Sequence, residues 1–153
     1  MVFRAFESEN LESLEFGLKS DFFNGKARAN IAVFSYDYEN LQFQATDPDP
    51  YRGGVANIPN SEMDGVEIEF TALLGDSITF DMNLGFIDTE VTSEYEVLDN
   101  VLAYQYFFEE EQERYDLRED VKGNMLAKTP EFTADATLTY EGELASGNPI
   151  NVI

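Results

Sequence analysis

The chain contains no cysteine, no histidine and no tryptophan, and 9 Lys plus Arg stand against 31 Asp plus Glu in its 153 residues. Each shortage excludes something. Without Cys or His there is no thiolate or imidazole zinc site, no Ser-His-Asp or Cys-His nucleophile and no disulfide framework. A formal charge of −22 opposes nucleic acid and anionic lipid headgroups, both of which are polyanions. Long apolar runs are missing too, so no helix of the roughly 18 residues needed to cross a bilayer is encoded. The opening Met1-Val2-Phe3-Arg4-Ala5-Phe6-Glu7 has no apolar core and no small-residue cleavage site, which predicts no signal peptide here. These shortages do not exclude a membrane β-strand, which is apolar only at alternate residues and averages to neutral. Nor do they suggest disorder, because 14% of the chain is aromatic, with 13 Phe and 8 Tyr.

Five stretches alternate apolar and polar residues with period two, as strands with two unlike faces do. Leu14, Phe16 and Leu18 oppose Glu15, Gly17, Lys19 and Asp21; Ala27, Ala29, Ile31 and Val33 oppose Lys26, Arg28 and Asn30. Val66, Ile68, Phe70 and Ala72 oppose Glu67, Glu69 and Thr71. Ile78, Phe80, Met82, Leu84 and Phe86 oppose Thr79, Asp81, Asn83 and Gly85. Phe132, Ala134, Ala136, Leu138 and Tyr140 oppose Thr133, Asp135, Thr137 and Thr139. After Val33 the bulky residues change parity to Phe34, Tyr36 and Tyr38, which fits either a bulge at a membrane rim or rings packed on a loop.

The spacing predicts strands over 10–23, 26–41, 65–74, 78–90 and 130–141, with long loops over 42–64 and 91–129. Phe23-Asn24-Gly25 and Gly75-Asp76-Ser77 are tight-turn sequences, and Gly142, Gly147 and Pro149 mark another turn. Short and long connections therefore alternate, as in an up-and-down antiparallel meander whose turns are short at one end and long at the other. Strands of about 10 residues suit a tilted bilayer crossing, and outer-membrane barrels have this loop asymmetry. The expected fold is all-β: an antiparallel up-and-down meander of about five long strands, a partial transmembrane β-barrel. The competing reading is a soluble, acidic β-domain that buries the same apolar face against a second sheet and binds carbohydrate or a protein partner.

Several stretches resemble the C-terminal part of the barrel in TonB-dependent outer-membrane receptors. Glu15-Phe16-Gly17-Leu18-Lys19 before the Asn24-Gly25 turn is similar to the family's E-x-G-x-K strand. Phe34-Ser35-Tyr36-Asp37-Tyr38 with Gln42 resembles the next strand, and Gly65-Val66-Glu67-Ile68-Glu69 resembles its G-x-E-x-E strand. Leu84-Gly85-Phe86-Ile87-Asp88 is similar to its G-Y-x-D segment, and Pro130 leading to Leu138-Thr139-Tyr140 to its P-to-Y strand. The resemblance covers nearly the whole chain, from Glu7 to Tyr140. It implies a receptor, not an enzyme, in the outer membrane of a Gram-negative bacterium. Such a receptor takes up a scarce solute such as a siderophore, cobalamin or a saccharide. Implied partners are outer-membrane lipid, the transported ligand and the TonB complex acting through a plug domain; no cofactor is implied. The family's plug and terminal aromatic strand have no counterpart here, so the sequence reads as a piece of a larger barrel.

Candidate ligand-binding residues come from the two long loops. Residues 88–120 hold 12 Asp or Glu against Arg114 and Arg118. This stretch reads as a solvated acidic surface, as a carboxylate site for a divalent cation, or as a ligand-capture surface built on Tyr95, Tyr104, Tyr106, Phe107 and Phe108. Val97, Val101, Tyr104 and Phe108 would alternatively lie on one face of a short helix. In the other loop, Tyr51 and Arg52 beside Gly53-Gly54 suit an anionic ligand. No catalytic and no metal-ligating set is expected.

Overall fold

A computed structural model describes residues 5–47, 52–99, 101, 117–143, 146–147 and 149–153, the side chains of 45–47 and 52–53 excepted. Among these described residues eight strands follow in order: β1 (Asn10–Phe22), β2 (Ala27–Asp47), β3 (Arg52–Leu73), β4 (Ile78–Val91), β5 (Glu96–Leu98), β6 (Arg118–Asp120), β7 (Phe132–Glu143) and β8 (Pro149–Val152). Six form one sheet in the order β1-β2-β3-β4-β7-β8, and β5 pairs with β6 separately. Apart from that inserted pair, neighbours in the sheet are neighbours in sequence, so the sheet is an antiparallel meander. No helix among the described residues is long and apolar enough to cross a membrane.

The chain divides into two compact units. The second comprises Ser13–Ser35, Asp64–Asp88 and Lys128–Ile153. Its stretches of β1, β2, β3, β4 and β7 are residues 13–22, 27–35, 64–73, 78–88 and 132–143, nine to twelve residues each. That is the length a tilted strand needs to cross hydrocarbon. Its turns are tight. Phe23, Asn24 and Gly25 take positive φ values of 53°, 56° and 83°, and the Gly25 N–H donates to Phe22 O at 3.1 Å. Asn and Gly tolerate this left-handed backbone, so the Asn-Gly pair reverses the chain there. Gly75, with φ 86°, does the same before the Leu74 N–H donates to Ile78 O at 2.7 Å.

Register sorts the two faces of this unit. Across β4 and β7, Ile78, Phe80, Met82, Leu84 and Phe86 lie opposite Tyr140, Leu138, Ala136, Ala134 and Phe132. The alternate positions pair Thr79, Asp81, Asn83 and Gly85 with Thr139, Thr137, Asp135 and Thr133. The apolar face carries ring contacts, Phe86 with Phe132 at 4.9 Å and Phe70 with Phe80 at 6.3 Å. The polar face carries cross-strand hydrogen bonds: Arg28 Nε to Asp21 at 2.8 Å, Asn30 Nδ2 to Glu69 at 2.9 Å, Thr71 Oγ1 to Asp81 at 2.7 Å and Asn83 Nδ2 to Asp135 at 3.1 Å. A one-residue slip would exchange the faces completely, so register is strongly specified.

Much of the apolar face is left uncovered, unlike the core of a water-soluble protein. Leu14 and Phe16 are each 75% exposed and Leu138 is 55% exposed. Ile31, Val33, Phe86, Phe132 and Tyr140 are exposed as well. At about 25 cal/mol per Å² of apolar surface, such a face is stable only against another apolar phase. No second sheet covers it among the described residues, which is what the soluble sandwich reading required.

The parity change after Val33 has a local explanation. Phe34 is buried, and its ring occupies the space where a side chain at Gly65 would stand. Lys26 O accepts from Leu73 N at 2.7 Å and Asn30 bonds Glu69, so the Phe34–Gly65 pair continues one antiparallel register. Phe34 thus lies on the polar face, seated on a glycine, and no bulge occurs between Lys26 and Phe34. The backbone adjusts later, at Asn40, whose φ is +57°.

The first unit comprises Met1–Glu12, Tyr36–Met63 and Thr89–Ala127. Here several expectations are corrected. Residues 42–64, expected as a long loop, are strand except for 48–51, which lie outside the described residues. Alternation stops near residue 34 while backbone pairing continues to Asp47. Side chains help to hold it. Asn57 Nδ2 donates to Asn40 O at 2.6 Å and to Glu7 O at 3.1 Å, and the Glu7 N–H donates back to Asn57 Oδ1 at 2.9 Å. Residues 91–129, expected as one loop, contain β5 and β6. The expected turn after residue 141 leads into a sixth sheet strand, β8, paired with β7 from Tyr140↔Val152 to Glu143↔Pro149. The buried residues of this unit include Ile58, Val91 and Leu117, with Val91 2% exposed.

Candidate functional site

The acidic segment between β4 and β7 folds back on itself as a ribbon. Glu96, Val97 and Leu98 pair with Asp120, Glu119 and Arg118. Backbone bonds extend the ladder at both ends: Val121 N–H to Tyr95 O at 2.9 Å and Asp99 N–H to Leu117 O at 2.8 Å. Val97 is therefore a strand residue and does not share a helical face with Val101, whose backbone is helical. Tyr104 and Phe108, also assigned to that face, lie outside the described residues.

Backbone and side-chain hydrogen bonds fix the ribbon and its base. The Thr92 N–H donates to Asn60 O at 3.1 Å, while the Asn60 N–H donates to Ser93 Oγ at 3.1 Å. The Leu126 N–H donates to Thr89 Oγ1 at 3.0 Å, with Thr89 only 3% exposed. Asp120 Oδ1 accepts from the Tyr95 N–H at 2.9 Å and the Lys122 N–H at 3.1 Å. Those two backbone donors, that of Lys122 first, favour the ionised carboxylate and hold the Asp120 pKa below its ordinary value, with the Lys122 charge adding to the effect. Asp99 caps in the same way, accepting from the Val101 N–H at 2.6 Å. Two carboxylates of the acidic run thus have defined structural work.

Beneath the ribbon lies a cavity of about 400 Å³. Its walls are Phe43 and Gln44 of β2, Ile58 of β3, Val91 of β4, Tyr95 to Leu98, Arg118, and Val121 with Asn124 to Ala127. The Tyr95 ring stands edge-on to Phe43, with centroids 5.8 Å apart and planes at 86°, an arrangement favoured by the ring quadrupoles. The lining is mostly apolar, with Gln44, Asn124, Glu96 and Arg118 as polar members. A second, wider hollow of about 800 Å³ lies in the second unit, its wall including Leu14, Phe16, Val33, Val66 and Phe86 together with Phe34, Asp64, Asp88 and Glu131.

Of the residues singled out from sequence, Tyr95 lines the ribbon cavity. Arg52 opens β3, with its side chain outside the description, and Tyr51, Tyr104 and Tyr106 lie outside the described residues. Arg118 was not singled out, although it is one of two basic residues in the acidic run; its role appears only when β6 pairs with β5. Among the described residues, no group of three or more carboxylates is arranged to hold a metal ion.

A meander with one face sorted for hydrocarbon, one polar face and a folded polar extension defines the wall of an outer-membrane-type β-barrel. The TonB-dependent receptor-like β-barrel family matches residues 3–149, so the chain belongs to that family of receptors and transporters. In structure it is similar to the siderophore receptor PiuA from Acinetobacter baumannii, with a TM-score of 0.56 and 21% identity over 85% of this chain. The chain spans 16% of that receptor's length. At this identity the likeness concerns the fold.

Proposed function

We propose that this chain forms part of the wall and external surface of an outer-membrane TonB-dependent receptor that takes up a scarce solute, such as a siderophore, cobalamin or a saccharide. The observation that carries the reading is the apolar face exposed on one strand parity, in a chain that belongs to this family. On this reading the apolar face meets outer-membrane lipid, and the polar face lines a lumen. The remaining partners are the transported ligand and the TonB complex acting through a plug domain. The ribbon of residues 91–127 would meet solute outside the cell, with Tyr95 at its cavity. Tyr51, Arg52, Tyr104 and Tyr106 are further proposed contacts. The neighbour's description as a siderophore receptor supports including siderophores among the solutes.

The soluble β-domain reading is not favoured, because the large apolar side chains of the second unit are exposed. Cell fractionation tests the choice. The protein is expected in the outer-membrane fraction, with gel mobility that changes on heating. Recovery as a soluble monomer with a cooperative melt in plain buffer would overturn the proposal.

A further inference from the structure

We propose that the hollow of the second unit seats a phospholipid whose headgroup ends in a primary ammonium, the ammonium lying at Asp64 and Asp88 and an acyl chain over Val33 and Val66. This rests on the reading that the apolar face meets lipid, and it names the lipid held at one place on that face. Strand register carries the argument. The Leu74 N–H donates to Ile78 O at one end of the β3–β4 pairing, and the Thr92 N–H donates to Asn60 O at the other. Between them Thr71 Oγ1 meets Asp81. All three share one offset, so Asp64 stands directly opposite Asp88, as Val66 does opposite Phe86. Strand β2 continues both rows: Phe34 sits on Gly65, which places Val33 beside Val66 and Ser35 beside Asp64. Residues two apart share a face, so the Asp64–Asp88 row borders the apolar row on the same side of the sheet.

Like charges directly opposite each other destabilise a strand pair. Asp64 and Asp88 are both exposed, and the described lining of the hollow adds Glu131 and contains no lysine or arginine. The carboxylates thus favour a cation that this lining does not supply. The apolar row has small valines between the larger Phe16 and Phe86, and one hollow of about 800 Å³ spans both rows. A metal ion would answer the acids alone, and among the described residues no three carboxylates are grouped to hold one. A hydrocarbon chain would answer the valines alone. A lipid with a primary ammonium answers both, because its N–H groups donate charge-assisted hydrogen bonds to carboxylates.

The experiment offers phosphatidylethanolamine and phosphatidylglycerol with identical acyl chains to the full chain in an uncharged detergent, first without divalent cations and then with calcium. Native mass spectrometry reports the lipid retained. Phosphatidylethanolamine is expected to be retained about fivefold or more over phosphatidylglycerol, with or without calcium. Asp64→Asn combined with Asp88→Asn is expected to abolish that preference while lipid is still retained, and Val33→Phe, which fills the hollow, to weaken retention of both lipids. Without lipid, Asp64→Asn alone is expected to raise the urea midpoint by relieving the like-charge pair, and added phosphatidylethanolamine to narrow that gain. Equal retention, or a preference for phosphatidylglycerol with or without calcium, would overturn the ammonium assignment and leave lipid contact standing. A chain that stays monomeric without detergent and retains neither lipid would overturn both.

Discussion

Placing arginine at Met82 and, separately, at Asn83 gives a sharp test of the face assignment, because the two positions differ by one residue and by everything that surrounds them. Met82 lies near the middle of the β4 stretch 78–88 and faces Ala136 across the ladder. An arginine there has no carboxylate directly opposite and, in lipid, costs about 2–4 kcal/mol at mid-membrane. At about 1.4 kcal/mol per tenfold, that is a loss of roughly 30- to 1,000-fold in the folding equilibrium. Asn83 faces Asp135, to which it already donates a hydrogen bond at 3.1 Å. Arginine there keeps a donor beside a carboxylate, so stability stays within about 0.5 kcal/mol of the parent. Phe86→Arg is intermediate in charge cost, about 0–1 kcal/mol toward the interface, with about 0.5–1.5 kcal/mol lost from the ring pair with Phe132. The assay is urea titration of the chain folded into phospholipid vesicles. Equal losses at Met82 and Asn83, or a harmless Met82→Arg, would refute the reasoning.

Two further outcomes follow from local geometry. Gly65→Ala displaces the Phe34 ring and Phe34→Ala leaves the glycine seat empty, so each is destabilising. The double variant is less so than their sum, with a coupling of about 0.5–3 kcal/mol in a double-mutant cycle. Asp120 has a folded-state pKa below its unfolded value, so its contribution is present above the unfolded pKa and fades as pH falls through the folded value. Hydrogen exchange at the Tyr95 and Lys122 amides is expected to stay protected at neutral pH and through the ordinary carboxylate range, and to lose protection only in stronger acid. Asp120→Asn, which keeps an acceptor oxygen, retains that protection at neutral pH; Asp120→Ala loses it.

What could be read from sequence followed the solvent. In β4 and β7 apolar and polar side chains alternate, as the proposed lipid contact requires, so Ile78 to Phe86 and Phe132 to Tyr140 advertise their strand and their register. The extensions of β2 to Asp47 and β3 from Arg52 have no such requirement. Their pairing depends on backbone bonds and on long-range side-chain contacts such as Asn57 to Glu7 and Asn40, which leave no period in the sequence. Phe34 looked like a break in phase because its partner, Gly65, is 31 residues away. The site was legible in part. Tyr95 stood out as an aromatic in an acidic run, whereas the role of Asp120 required knowing that β6 folds back beside β5.

The most direct measurement of the central claim uses the absence of cysteine noted at the outset. Single cysteines can be introduced at each position from 78 to 88, spin-labelled, and compared for collision with oxygen and with a water-soluble nickel chelate in vesicles. A period-two exchange is expected: even positions from Ile78 to Phe86 favour oxygen, and Thr79, Asp81, Asn83 and Gly85 favour the chelate. Labels with no alternation, or even-numbered positions shielded from both reagents as in a packed soluble core, would contradict it.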